Sequence, residues 1–353
     1  MANDPGLRRG DSGMSGFTVG VAMLGGVVLA SLVAYNAWVS RRNSPRQPDA
    51  PMAAATEPVE PTMGSEPVLG DEPTLPPVDK KPPLDPLIDA IAPIAVDALV
   101  SGDAAIAAMP PTRRAGSKPF AIEGQNDATQ KWEPPRPGQR YSAFQAGVQL
   151  ANRTGHLNEI EFSEFVVKAQ QFADTVNGSP DFPEMLDEVA RAKELDQFAS
   201  EHDAQLGFTL RAKAAAWSPG YVQQNAARPG FVPGVIPGRL VLPASKVGAP
   251  PVLVLTFDTQ AAMAEDPAQS ALRELTLSLD VPQVHRSEQP FVRMRDAAIA
   301  LAASMEGIIT DDKGDIIRAE GLDVIGSHLE KLYDILEEHD LAAGSQQARR
   351  LFS

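Results

Sequence analysis

Residues 275–282 read LTLSLDVP, and their alternation constrains the fold more than any other stretch. Leu275, Leu277, Leu279 and Val281 fall on one side of an extended chain, and Thr276, Ser278 and Asp280 on the other. A strand with one apolar and one polar face belongs in an antiparallel sheet that is covered on one side and wet on the other. The same period recurs in AQLGFTLRA (204–212), where Leu206, Phe208 and Leu210 oppose Gln205, Gly207 and Thr209. It recurs in GRLVLP (238–243), where Leu240 and Leu242 oppose Arg239 and Val241.

One strand departs from this rule. PPVLVLTFD (250–258) has β-branched and aromatic residues bounded by Pro and Asp, but both of its faces are apolar. We expect Val252 and Val254 to join the core. Leu253, Leu255 and Phe257 are then left as a narrow apolar stripe on the outer face, with Val241, Arg239, Thr259, Thr276 and Ser278 around it.

The helices follow from spacings of three and four. Glu159–Val176 places Phe165, Ala169, Phe172 and Val176 on one side, although its first residues, EIEFSE, alternate like a strand. A second helix is expected over Phe182–His202. Ser218 and Pro219 open a third as N-cap and first residue. Phe291–Met305 and Leu322–Leu336 carry apolar stripes, and GIITDDKGDIIR (307–318) reads as a hairpin. LIDAIAPIAV (87–96) suits a strand or a short helix equally. The order of elements in the last third predicts an α+β two-layer domain, an antiparallel sheet covered by three helices on one face.

The N-terminal region is of a different kind. Residues 16–40 hold the only long apolar run, which is long enough to cross a bilayer. Tyr35 and Trp38 stand where interfacial aromatics belong, and Arg41 and Arg42 follow at once. A cleaved signal peptide is the competing reading; the run is long for one, and no small-x-small cleavage site follows it. The basic residues after the span put residues 1–15 outside and the bulk of the chain in the cytoplasm. Residues 41–85 are Pro-rich and acidic without aromatics beyond the anchor, a composition expected to be a disordered, extended tether.

Composition removes several functions. A net charge of −15 argues against nucleic-acid binding, which needs basic surface. Without Cys there is no disulfide, thiolate metal site or Cys nucleophile. The His residues are scattered, without a metal-ligand partner at i+3 or i+4. The DDKGD turn (311–315) lacks the spacing of a calcium loop. We expect neither an enzyme nor a cofactor.

The layout resembles the ZipA family of bacterial cell-division proteins. The resemblance rests on AWVSRR (37–42) at the end of the anchor. It rests also on FTLRAKAAAWSPG (208–220), PPVLVLTF (250–257), LTLSLDVP (275–282) and EGIITDDKGDII (306–317), in that order and spacing. It implies an inner-membrane anchor and a C-terminal domain over 204–343, followed by a tail over 344–353. It further implies that the C-terminal tail of FtsZ binds on the sheet face free of helices, at the division septum. Carried onto this chain, the peptide-binding residues are Val241, Leu253, Leu255, Phe257, Thr259, Arg239, Thr276 and Ser278. Residues 86–203 lie outside the match. Their order of elements echoes the C-terminal domain, so they are either a diverged tandem copy or an unrelated insertion. If they cover the sheet face, the chain is instead a membrane-tethered adaptor for another partner.

Overall fold

A computed structural model describes residues 45–48 and 84–353. The expected tail over 1–15, the span over 16–40 and most of the expected tether lie outside those residues. Among the described residues no helix is long and apolar enough to cross a membrane. The fold is mixed α+β, built on two antiparallel sheets.

The first sheet is formed by β1 (Asp89–Ser101), β2 (Arg114–Ala115), β3 (Lys118–Asn126), β4 (Trp132–Glu133), β5 (Arg140–Gln149) and β8 (Gly178–Pro180). Its order is β2-β3-β5-β1-β8, with β4 paired to β3. A short helix α1 (Gly102–Ala107) follows β1, and a small hairpin of β6 (Ala151–Asn152) and β7 (Gly155–His156) follows β5. Two helices, α2 (Glu159–Thr175) and α3 (Met185–His202), complete this half. The ambiguous stretch 87–96 is a strand because β5 pairs along one edge of it and β8 along the other. The strand-like start of α2 is helical because Asn158 and Glu161 close a capping box, each side chain accepting from the other's backbone N–H.

The second sheet has the order β10-β11-β12-β13-β9-β14. Its strands are β9 (Gln205–Ala212), β10 (Val232–Pro233), β11 (Arg239–Leu242), β12 (Leu253–Thr256), β13 (Glu274–Asp280) and β14 (Gly307–Thr310). The helices of this half are α4 (Pro219–Ala227), the short α5 (Thr259–Ala262), α6 (Pro290–Met305) and α7 (Ala319–Glu338). The order β12-β13-β9-β14 repeats β3-β5-β1-β8 strand for strand. In each case two helices come from the same places in the chain, one before the last edge strand and one after it.

Each sheet buries one face. In the first, Ala92, Ile94, Phe120, Ile122, Phe144 and Val148 meet the aromatic stripe of α2, with Phe144 and Phe172 edge to face at 5.1 Å. In the second, the leucines of β11, β12 and β13 join Met294 and Leu301 of α6 and Leu329 and Leu336 of α7 in one apolar cluster. Burial of this size is the main favourable contribution to folding.

The outer face of the first sheet is covered in part by residues just before β1 and by residues from the C-terminal end of the chain. Leu84 sits over Gly147, where any Cβ would lie 2.5 Å from its Cδ2. From the other end comes α8 (Gln346–Leu351). Residues 344–353 are expected from the sequence to be a tail. Instead Ala348, Leu351 and Phe352 are buried, because they complete the apolar cluster of the second half together with Ile88 and Ala151 of the first. The carbonyls at the end of α8 are also held: Gln149 donates to the oxygen of Arg350 at 2.8 Å, and Gln283 to that of Phe352 at 2.7 Å.

Arg350 reaches from α8 to Asp89, which has no solvent exposure, with both guanidinium nitrogens on the carboxylate at 2.9 and 2.5 Å. Burial pushes the Asp89 carboxyl up from its ordinary value, and the Arg350 guanidinium opposes that shift. Breaking such a pair strands a charge. Asp89→Ala is therefore expected to lower the unfolding free energy of the chain by about 3 kcal/mol, whereas the double variant Asp89→Leu with Arg350→Met recovers most of that loss. Denaturant titration of the three proteins measures both.

Candidate functional site

The outer face of the second sheet is set by register. Leu255 of β12 pairs with Leu240 and Leu277, and Leu253 pairs with Leu242. Paired residues share a face, so these leucines lie in the core, and both are fully buried. Val254 points the other way, between Val241 and Ser278. The expected assignment is thus inverted at Val254, Leu253 and Leu255, while Val252 is buried in the core as expected: Leu253 and Leu255 are core residues and cannot touch a peptide. Phe257 is also buried, its N–H donating to the oxygen of Gly238 at 2.9 Å. Gly238 has φ +78°, and a Cβ there would lie 2.7 Å from the Phe257 carbonyl oxygen, so this turn requires glycine. The reason for the inversion is the strand itself. With valines on one face and leucines on the other, the pattern separates them only through Thr256, which sits on the outer face with Val254.

Of the other expected residues, Val241, Arg239, Thr276 and Ser278 are on the outer face. Thr259 is exposed on α5, beyond the end of the strand and outside the groove. Pairing across the sheet generates two rows. One runs Val241, Val254, Ser278, Gly207; the next runs Arg239, Thr256, Thr276, Thr209. The Ser278 hydroxyl donates to the Val254 carbonyl at 3.2 Å and the Thr256 hydroxyl to the Thr276 carbonyl at 3.4 Å. Their polarity is thereby engaged by the sheet, and the floor is more apolar than its composition suggests.

A groove of about 740 Å³ lies on this face. Val254, Thr256, Ser278 and Gly207 line its floor, and Pro250 and Pro251 line it from the loop before β12. Above Gly207 a Cβ would meet nothing within 4 Å, so the groove is open at that point. A second depression of similar volume adjoins it, sharing Arg239 and Pro251. It is lined by Val235, Ile236, Val241 and Val247, of which Val235, Ile236 and Val247 are exposed. Exposed apolar side chains clustered beside a polar rim mark a surface suited to a partner.

The charges are placed at defined points. At the end formed by Gln205 and Asp280, Arg153 comes across from the β6–β7 hairpin. It binds Asp203 through two nitrogens at 2.8 and 2.6 Å and Asp280 at 2.7 and 2.8 Å. Those hydrogen bonds, Asp203's first, hold the Arg153 guanidinium well above its usual range. Arg153 is the point at which residues 86–203 reach this face; the floor itself carries Val254 and Thr256 half-buried and Gly207 exposed. Arg239 stands between the two depressions, exposed, and no ion pair is formed by it among the described residues. The site is therefore a largely apolar trough with an available cation, Arg239, near its middle and a second, Lys246, on the rim of the adjoining depression. Among the described residues no group of three metal-ligating side chains converges.

Sequence reasoning missed Val254 because of the phase error. It missed Arg153 because nothing local to residues 152–155 points to the other sheet. The proline pair at 250 and 251 was legible only as a strand boundary. Comparison with models of known protein families and with curated proteins found no match to this chain.

The two sides of β12 differ in energetic consequence. Leu255→Ala is expected to destabilise the protein by about 2–5 kcal/mol through loss of burial and a residual cavity. Val254→Ala, on the half-open face, is expected to cost less than about 1 kcal/mol. Equal losses in denaturant titrations would contradict the register given above.

Proposed function

We propose that the chain is a membrane-anchored cell-division scaffold of the kind it resembles, ZipA. In this reading it holds the C-terminal tail of FtsZ in the groove on the outer face of its second sheet. The observation that carries this reading is the groove itself: a helix-free sheet face with an apolar floor, an open point at Gly207 and an available cation at Arg239. An extended or helical peptide with apolar side chains and a carboxylate matches that lining by burial and by charge-assisted hydrogen bonding. The binding residues in this reading are Val241, Val254, Thr256, Ser278 and Arg239, with Gly207 providing clearance.

In the same reading residues 16–40 hold the chain in the inner membrane, with the bulk in the cytoplasm at the septum. Because a polymer of FtsZ offers many tails close together, weak individual sites gain by avidity. The repeated strand order supports taking 86–203 and 204–343 as two copies of one unit. The first copy would then have lost its outer face to Leu84 and α8 while the second kept it.

The test uses a substitution that the fold has room for. Gly207→Trp fills the groove from a position where a side chain meets open space. Full-length protein in detergent is titrated with a fluorescent FtsZ tail peptide. Binding is expected for the parent and for Thr259→Ala, with at least about tenfold weaker binding for Gly207→Trp and for Arg239→Glu. Absence of binding by the parent, or undiminished binding by the Gly207 variant, would reject the proposal.

A further inference from the structure

Residues 45–48, Pro-Arg-Gln-Pro, lie in the stretch whose composition predicts an unstructured tether, yet they are docked on the second half of the protein. Arg46 forms a parallel bridge with Trp217, which in turn bridges Leu272. The N–H of Arg46 donates to the Ala216 carbonyl at 2.7 Å, and the N–H of Ser218 donates to the Arg46 carbonyl at 2.9 Å. The Arg46 guanidinium meets Glu306 at 2.5 Å, and the Gln47 amide donates to the Ala268 carbonyl at 2.5 Å. Pro48 lies over Gly220, where a Cβ would be 3.5 Å from its ring.

The receptor has a physical reason to want a cation there. The helix α6 ends at Met305 with no basic residue in its last turn, so its C-terminal carbonyls and partial negative charge need partners from elsewhere. Trp217 donates its indole N–H to the Met305 carbonyl, and the Tyr221 hydroxyl donates to that of Ser304. Glu306, in a left-handed conformation just past the helix, adds a full negative charge, and Arg46 supplies the opposite one. The cleft is built for an extended peptide carrying an arginine.

Its position adds a direction. The cleft lies beyond the last residue of β9 and just before the first residue of β13, whereas the groove is lined by the first residues of β9 and the last of β13. The two sites are at opposite ends of the same strands, roughly 25 Å apart at about 3.3 Å per residue, and their linings share no residue. Only residues 41–44 separate the docked segment from the apolar run ending at 40. That is at most about 18 Å of extended chain.

We propose that this cleft is a peptide-docking site whose ligand is the chain's own residues 45–48. Docking there seats the α6 end of the second half against the anchor and turns the groove end away from the bilayer. The inference rests on residues 16–40 being the anchor. The contact is small, and the Arg46–Glu306 pair is partly exposed, so the docked and released states exchange. Release would lengthen the connection to the membrane from residues 41–44 to residues 41–83, on the order of 100 Å if that connection is extended.

The absence of native Cys makes the test clean. The full chain carrying Gln47→Cys and Ala268→Cys is reconstituted in vesicles of phosphatidylethanolamine and phosphatidylglycerol and treated with a short bis-maleimide. An intramolecular crosslink is expected. Arg46→Glu should slow it at least about fivefold, and adding Glu306→Arg should restore it. A rate no greater than that of a pair joining Gln47→Cys to Ser278→Cys, or indifference to Arg46→Glu, overturns the docking. A dye on Lys213→Cys or Gln205→Cys reads orientation against a lipid-borne quencher, with quenching expected only at 213. Equal quenching overturns the orientation. Crosslinking that persists while the chain fails to float with vesicles shows instead that the anchor reading has failed and the docking has not.

Discussion

A carboxylate with no exposure to water has to find a cation, and the one that meets Asp89 arrives from a residue 261 positions further along the chain. This requirement brings the C-terminus back to the first strand of the first sheet. Once it is there, Leu351 and Phe352 extend the leucine-rich core of the second half until it includes Ile88 and Ala151 of the first. The pair contributes little net energy compared with apolar side chains of the same volume, because both ions lose hydration. Its effect is on arrangement. In the observed placement of the last helix Asp89 is paired and the carbonyls of Arg350 and Phe352 are capped by Gln149 and Gln283.

That placement makes the two halves unequal. Their strand orders correspond, and each buries one face against two long helices. The first half receives Leu84 and the C-terminal helix on its other face, so its polar residues there, such as Glu123 and Gln149, are closed in. The second half receives Arg153 and the last two residues, Phe352 and Ser353, at one end of its groove. The available space on the first sheet is thus smaller, about 390 Å³ against about 740 Å³, for reasons of chain connectivity: Leu84 and the C-terminal helix both pack on that face. The resident peptide at 45–48 occupies a third kind of surface, a helix terminus short of partners, and does so at the end of the strands remote from the groove.

Much of this fold was legible in the sequence. Alternation in 204–212, 238–243 and 275–282 identified β9, β11 and β13 and their inner faces correctly, and the capping pair at Ser218 and Pro219 located α4. The apolar stripes of α6 and α7 fell where they were expected. The site was less legible. Arg239, Val241, Thr276 and Ser278 lie on the outer face as read, but Leu253, Leu255 and Phe257 do not. In 250–258 both faces are mostly apolar, and the single polar residue of the strand, Thr256, is the only local mark that Val254 shares the outer face. The length of the chain's end that folds back, and the four residues that dock near Trp217, left no periodic signal at all.

The sequence by itself therefore determined the class of fold, the element boundaries to within a few residues, and the one-sided character of the sheet. These depend on periods of 2 and 3.6 that any local stretch displays. Tertiary structure alone decided which face of the two-sided strand is buried, which sheet face stays open, and which distant charges meet. Those outcomes depend on strand register and on contacts between residues hundreds of positions apart, and neither is written in the pattern of any single segment.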